Sequence, residues 1–437
     1  MRDMFPGFYR PSEVDYKRFF EKGIFVLDTN VLLNFYRYPK AARDEFFSVF
    51  DEMKDRLWIP YQVALEFQRL RLKEIGGQKS KFHEVRKAVT DARKSFMTLQ
   101  TELHNRHSLI DATALVDGVK DHVDQFLAKL ETLEQEQPDV HEDDPVRSRI
   151  ETILSGKVGQ RPSQKDVDEF TRDGDTRYKA EVPPGFGDAK KTDVYSYGGV
   201  RYESKYGDLI LWRQILDHVR SVGPADYIFV TDDKKRDWWW DVDGKTVGPR
   251  PELAAELAEA CAGSSFYMYK PDAFLSHAKS FLKTGVDERT ISQVREVSRQ
   301  TEYEELSHQH AMRSAFLKNR FPNWEINKFV PGSDISLLHN VLFDEYLTVL
   351  WSSADKEGLR LTLNYVRGDR AINEIDGRYH YVALSIPDWA VQADNLNDLA
   401  NSARSPSSGV TIGILAQTPE RLELIVENKS GDWPLYI

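Results

Sequence analysis

Three features of the chain point to an α/β domain on a mostly parallel sheet, carrying an inserted helical hairpin and followed by a separate α+β domain. Short apolar runs alternate with helical segments through much of the first 280 or so residues, the rhythm of a parallel sheet with helices on both faces. Two heptad-patterned stretches break that alternation. After about Thr284 the composition changes to a charged helical segment and then to a strand-rich end.

"GIFVLDTNVLLNFYRYP" reads as a buried strand, Ile24 to Leu27, that turns at Asp28 into a short helix ending near Pro39. "RLWIPYQVALEFQRLRLKE" gives a short strand and then a helix with Val63, Phe67 and Leu70 at helical spacing. "YGDLILWRQILDHV" is a further amphipathic helix, with Leu209, Trp212, Ile215, Leu216 and Val219 on one side, and the strand "DYIFV" follows it. Between them, Phe82, Val85, Val89, Ala92, Phe96, Leu99 and Leu103 step by threes and fours. Val119, Val123, Phe126, Leu130 and Leu133 repeat the pattern after a polar break at Asp117-Gly118. Two such helices joined by a short connection make an antiparallel hairpin. The expected organisation is a first domain over 1–285 with an arm over 75–182, a helical linker over 286–320 and a C-terminal α+β domain over 321–437. That last domain contains "RLTLNYV", "HYVALSIPDW", "GVTIGILAQ" and "RLELIVEN", and no motif with attached chemistry.

The arm's charge is uneven. Phe67 to Phe96 carries nine Lys/Arg against three acids, whereas Asp111 to Glu151 carries twelve acids against four Lys/Arg. Either the two helices pair electrostatically, or the basic one forms a phosphate track that starts one turn beyond Glu66. A net charge of -11 argues against a basic coat over the whole molecule, though not against a local one. One cysteine, Cys261, excludes a disulfide framework and a cysteine-based zinc site. No apolar run approaches the roughly 20 residues that span a bilayer, and "MRDMFPGFYRPSEVD" lacks a signal peptide's apolar core, so a cytoplasmic protein is expected.

The chemistry lies in the acids. Ligands of an open parallel sheet gather at the carboxyl ends of its strands. Asp28 ends one strand, and Asp232 and Asp233 end another in "YIFVTDDKKRDWWWD". Asp208 opens a helix on the side of its buried face, and Glu66 sits at the edge of an apolar stripe. Each alone reads as a turn former, a first-turn helix acid or a solvated surface group. Together, at one end of one sheet, they would repel one another and raise each other's pKa unless cations were bound. Hard oxygen donors point to Mg²⁺ or Mn²⁺, not zinc.

These segments resemble the PIN-domain nucleases. "VLDTNVLL", the helix carrying Glu66, "YGDLILWRQIL" and "FVTDDKKRDWWW" match that superfamily's acidic motifs, and "PPGFGDAKK" with "DWWW" is similar to one PIN-like branch. The resemblance covers roughly Gly23 to Ala278. It implies a three-layer PIN-like fold and metal-dependent hydrolysis of phosphodiester bonds, RNA slightly before DNA. A toxin or phage-defence effector is the setting it suggests. It implies that Asp28, Glu66 and Asp208 hold the metal with Asp232 or Asp233, the T-x-D form favouring Asp233. Asn30 and Thr231 would orient those ligands. Asp188, Lys190 and Lys191, together with Lys234, Lys235, Arg236 and Trp238, are candidates for contacting substrate, the tryptophan by stacking on an unpaired base. The partner is nucleic acid, with a regulatory protein or a second copy engaging the arm or the C-terminal domain. Two other readings stand beside this one. A haloacid-dehalogenase-like phosphatase would need a proton donor where Asn30 stands, and a non-catalytic binding module would leave the acids without a task.

Overall fold

The computed structural model describes residues 1, 4–106, 113–141, 143–242 and 245–320, together with six strands beyond them. The chain divides into two compact units, Met1–Arg299 and Gln300–Ile437.

In the first unit the strands β1 (Ile24–Leu27), β2 (Leu57–Trp58), β5 (Asp226–Val230) and β8 (Ser265–Tyr269) form one sheet in the order β2-β1-β5-β8. All three pairings are parallel. The register sets Phe25 beside Ile228 and Leu27 beside Val230, so Asp28 and Thr231 leave neighbouring strands at the same level. A parallel sheet must be covered on both faces. Alternation along the strands sends Phe25, Tyr267 and Tyr269 to one side and Phe229, Phe266 and Met268 to the other.

On the first side lie α1 (Glu13–Lys22), α3 (Lys40–Met53) and α11 (Pro271–Leu282). Phe20 meets Phe25 with ring centroids 5.1 Å apart, and Phe274 meets Phe46 and Phe25. On the second side α9 (Gly207–Val222) brings Trp212 against Phe266, and α10 (Pro251–Ala260) packs on both α9 and β8. Helix α2 (Thr29–Asn34) starts directly after β1 and packs on α4 (Tyr61–Arg106). Between β2 and β5 also lie α6 (Pro145–Ile153), α7 (Gln164–Thr171), α8 (Gly174–Lys179) and the hairpin of β3 (Val194–Tyr197) and β4 (Val200–Glu203). A second hairpin, β6 (Trp239–Val242) with β7 (Lys245–Pro249), follows the tryptophans.

The arm is α4 with α5 (Thr113–Gln135). The chain break expected at Asp117-Gly118 falls inside α5 instead, and the connection lies between Arg106 and Thr113. A helix with long apolar neighbours tolerates one interior glycine at a cost of about 1 kcal/mol. Leu70, expected on the buried stripe, is 39% exposed, and the stripe runs instead from Val63 and Phe67 to Ile75. The two helices are tied by ion pairs: Arg93 to Asp124 at 2.8 Å, Arg86 to Glu134, and Lys79 to Asp139 just beyond α5. Arg71 pairs with Asp144 at 3.1 Å. With Lys94 3.5 Å from Asp91, at least five of the nine basic residues that suggested a phosphate track are engaged with acids of the same region.

The charged helix expected as a linker is α12 (Glu288–Arg320), which runs across the division between the units. In the second unit β9 (Glu325–Phe329), β10 (Ile335–Asn340), β11 (Glu345–Trp351), β12 (Tyr379–Pro387), β13 (Val410–Gln417) and β14 (Leu422–Leu424) form one sheet in reverse sequence order. Its centre, β11-β12-β13, is parallel, and both edges are antiparallel. "RLTLNYV" lies outside the described residues.

Candidate active site

The carboxyl ends of β1 and β5 build the site. Backbone bonds carry the sheet one step past each strand: the Asp28 N–H donates to the Val230 carbonyl at 3.0 Å, and the Thr231 N–H donates to Tyr269 at 3.1 Å. Asp28 is also the N-cap of α2, its Oδ1 accepting the Thr29 N–H at 2.7 Å. Its Oδ2 accepts the Thr231 hydroxyl at 2.6 Å and the Asn30 amide at 2.7 Å. Thr231 in turn accepts the Asp233 N–H, and Asn30 Oδ1 accepts the Asp232 N–H. Asn30 and Thr231 therefore fix both the first acid and the turn that carries the last two.

Glu66 comes from the second turn of α4. Its Oε2 accepts the Thr29 hydroxyl at 3.1 Å and its Oε1 the Gln62 amide at 2.7 Å. Gly207 opens α9 against this carboxylate: a Cβ there would stand 2.9 Å from Glu66 Oε1, so a side chain at 207 would push into the site. The next residue, Asp208, directs its Oδ2 inward, where it accepts no hydrogen bond among the described residues.

Asp232 and Asp233 separate. Asp233 joins the cluster, with Oδ1 on the Lys235 N–H at 2.7 Å and Oδ2 3.2 Å from the Lys235 ammonium. Asp232 turns away, its Oδ2 accepting the Asn34 amide at 2.7 Å. Of the two left open, with the T-x-D form favouring Asp233, it is Asp233 that faces the other acids, because alternation along an extended turn sends successive side chains to opposite sides.

The "PPGFGDAKK" loop reaches the site as well. Arg177 bonds the Pro183 carbonyl and pairs with Glu256 at 2.6 Å, anchoring the loop on α10. Gly185 takes φ +93°, a conformation that suits glycine, and its N–H and that of Gly187 donate to Asp237 Oδ2 at 3.1 and 2.9 Å. Asp188 is thereby set 3.0 Å from the Lys235 ammonium, while Lys191 pairs with its other oxygen at 2.6 Å. Asp237 is fully buried and its Oδ1 accepts no hydrogen bond among the described residues. Sequence reasoning passed over it. Its only signal was an acid wedged between a basic run and three tryptophans, a place where an unpaired charge would be costly.

Those tryptophans are structural. Trp238, expected as a stacking face for a base, is 1% exposed, with its ring 4.8 Å from Phe229 and edge-on to Trp212. The correction follows from the core needing a large ring above β5. Trp239 donates its indole N–H to the Asp233 carbonyl at 2.6 Å, so it holds the turn that carries Asp233 in place. Trp240 meets Phe8 edge to face. Of the remaining candidates, Lys234 donates to the Ser298 carbonyl at 3.1 Å. Arg236 lies over the Phe186 ring and 3.3 Å from Glu181. Lys190 follows Asp188 in the same loop.

Electrostatics make the strain plain. Burial, with Asp233 and Glu66 nearby and the Thr231 bond opposing, pushes Asp28 up to about 7. Burial also raises Glu66, against the bonds from Gln62 and Thr29. Asp208 is driven well above the carboxylate range by burial and then by Asp188, Asp233 and Asp237, with Lys235 opposing. Asp237 is raised by burial. Burial works against a charged Lys235, yet Asp208, Asp233, Asp188 and Asp237 hold it firmly protonated.

A family model for a PIN-like domain matches residues 24–253, more than half of the 437-residue chain and the whole stretch from β1 through the tryptophans into α10. The chain belongs to the PIN-like domain family. No curated protein and no solved structure matches it significantly. Members of this superfamily are typically nucleases that use divalent metals. The donor set of this PIN-like site suits such ions: every candidate ligand is a carboxylate oxygen, and Asp208 Oδ2 and Asp237 Oδ1 are buried acceptors with no hydrogen-bond donor among the described residues. Among the described residues, no three His, Cys, Asp or Glu side chains close on a single point as a ready-made cage. In the PIN-like domain Asp188, Asp208 and Asp233 instead stand around Lys235. Among the described residues no helix is long and apolar enough to cross a membrane.

Proposed function

We propose that this PIN-like protein is a metal-dependent nuclease that hydrolyses phosphodiester bonds, with RNA slightly preferred over DNA. The observation that carries the reading is the convergence of Asp28, Glu66, Asp208 and Asp233 from four separate elements, with three of the four pushed upward in pKa by burial, and Asp28 and Asp208 further by neighbouring acids. Evolution has little reason to bury that much like charge unless a cation offsets it.

In this reading Asp28, Glu66, Asp208 and Asp233 hold Mg²⁺ or Mn²⁺. When bound, such an ion lowers the pKa of water to give a nucleophile near neutral pH and withdraws charge from the phosphate. The chain's own residues do the rest. Thr231 and Asn30 orient Asp28 Oδ2 and the Thr29 N–H its Oδ1, while the Gln62 amide and the Thr29 hydroxyl hold the two Glu66 oxygens. Arg69, one turn beyond Glu66, stacks over the Tyr195 ring at 3.3 Å, which places a cation beside the site for a backbone phosphate. The phosphatase reading fits less well, because the Asn30 amide is spent as a donor to Asp28 and Thr231, and Asp232 faces Asn34.

The test is cleavage of labelled single-stranded RNA, single-stranded DNA and duplex DNA with Mn²⁺, Mg²⁺ or EDTA. Cutting of at least one polymer with metal and none with EDTA is expected. No cutting of any of the three, with small phosphate esters hydrolysed instead, would overturn the reading in favour of a phosphatase.

A further inference from the structure

Lys235 does not behave as a lysine waiting for a phosphate. Its ammonium sits 3.0 Å from Asp188 Oδ1, 3.2 Å from Asp233 Oδ2 and 3.9 Å from Asp208 Oδ2. The turn that delivers it is fixed, because its own N–H donates to Asp233 Oδ1 and the Trp239 indole holds the Asp233 carbonyl. The other half of the acidic set is different. Asp28 accepts bonds from Thr29, Asn30 and Thr231, and Glu66 from Gln62 and Thr29, all uncharged donors.

The acids thus fall into two halves, one organised by neutral groups and one by a resident cation. A divalent ion entering the second half would meet an ammonium within a few ångströms, at the position its own ligands would need to surround. Two cations in one low-dielectric pocket repel strongly. A divalent ion entering the first half meets carboxylates whose hydrogen-bond partners among the described residues are all uncharged, with Lys191 and Arg69 acting on Glu66 only from outside hydrogen-bond contact.

We propose that Lys235 is a built-in counter-cation that replaces a second metal ion: one divalent ion is held from the side of Asp28 and Glu66 with Asp208 and Asp233 completing its ligands, and the Lys235 ammonium stands against Asp188 and the far side of Asp208 and Asp233, where a second ion would otherwise sit. The proposal rests on the metal-dependent nuclease reading and deepens it, by setting how many ions the site accepts. Asp237 acts behind it as a positioning residue, since its hold on Gly185 and Gly187 brings Asp188 within reach of Lys235.

The experiment is a Mn²⁺ titration of the full-length protein by calorimetry, with bound Mn²⁺ counted independently by electron paramagnetic resonance. Wild type is compared with Lys235→Met, which keeps the aliphatic stem, with Lys235→Gln in case the first variant folds poorly, and with Lys235→Arg, which keeps the charge. One more equivalent of Mn²⁺ on Lys235→Met or Lys235→Gln than on wild type, with Lys235→Arg matching wild type, is expected. In EDTA the two neutral variants should melt below wild type and gain more from Mn²⁺. The same number of equivalents in all four proteins, including none in any, would overturn the proposal. Cleavage assays on the same samples keep the two claims apart. A raised count without cutting of any polymer would sink the nuclease reading alone, and metal-dependent cutting with an unchanged count would sink the role of Lys235 alone.

Discussion

Asp28→Asn separates what the first acid does for chemistry from what it costs the fold. Asp28 is buried and its pKa stands at about 7 instead of 3.8. The folded chain therefore keeps a proton that the unfolded chain releases, and stability falls as pH rises from 3.8 through about 7. One pKa unit corresponds to about 1.4 kcal/mol, so the full penalty in metal-free protein is of the order of 4 kcal/mol above pH 7. Roughly half of it is already present near pH 5.5, which leaves about 2 kcal/mol to be lost between about pH 5.5 and about pH 8.5. Asparagine removes the charge but turns a donor toward the Thr29 N–H, a loss of about 1–3 kcal/mol that does not depend on pH. The readout is thus the slope: urea unfolding in EDTA at three pH values should show wild type losing about 2 kcal/mol relative to Asp28→Asn as pH rises. Saturating Mn²⁺ should flatten the wild-type slope and leave that of the variant unchanged. Parallel profiles for the two proteins in EDTA would refute the argument, because they would mean that Asp28 is ionised in the fold without penalty.

Three further outcomes follow from the same geometry. Asp233→Asn should reduce metal-dependent cleavage to background while Asp232→Asn keeps it, since only Asp233 faces Lys235 and only Asp232 faces Asn34; side-by-side initial rates decide it, and the reverse order would contradict the assignment. Asp237→Ala strands the N–H groups of Gly185 and Gly187, so the melting transition should fall by an amount equivalent to about 1–3 kcal/mol, with cleavage falling as Asp188 loses its anchor. Trp238→Ala removes a ring that is 1% exposed and should destabilise the domain by about 3–5 kcal/mol, whereas a base-stacking tryptophan would weaken substrate binding and leave the melting temperature alone.

The central strands β1 and β5 were legible because each is a short apolar run followed closely by an acid, and parallel strands buried on both faces read as such runs. Asp28 and Asp208 were legible for a related reason: each is the first polar residue at the edge of an apolar element. The Asp117-Gly118 break was misread because a glycine next to an acid resembles a turn locally, while the partner helix decides where the chain turns. Glu66 was visible by spacing, but its partners Gln62 and Thr29 were not, since ordinary polar residues carry no mark until the fold sets them at 2.7 and 3.1 Å. The same holds for Lys235. In the sequence it is one of three consecutive basic residues, and only the turn after β5 distinguishes it, sending Lys234 to the Ser298 carbonyl and Lys235 among the acids. The tryptophans that follow are the support behind that turn, one in the core and one on the Asp233 carbonyl.

The central claim is that these carboxylates hold an ion that enables water to cut a phosphodiester bond. Its most direct test is the end chemistry of the fragments from a Mn²⁺ digest, compared between wild type and Asp208→Asn. The account predicts linear phosphate and hydroxyl ends that appear only with metal and vanish in the variant. Ends carrying 2′,3′-cyclic phosphate, or cutting that survives Asp208→Asn undiminished, would contradict it.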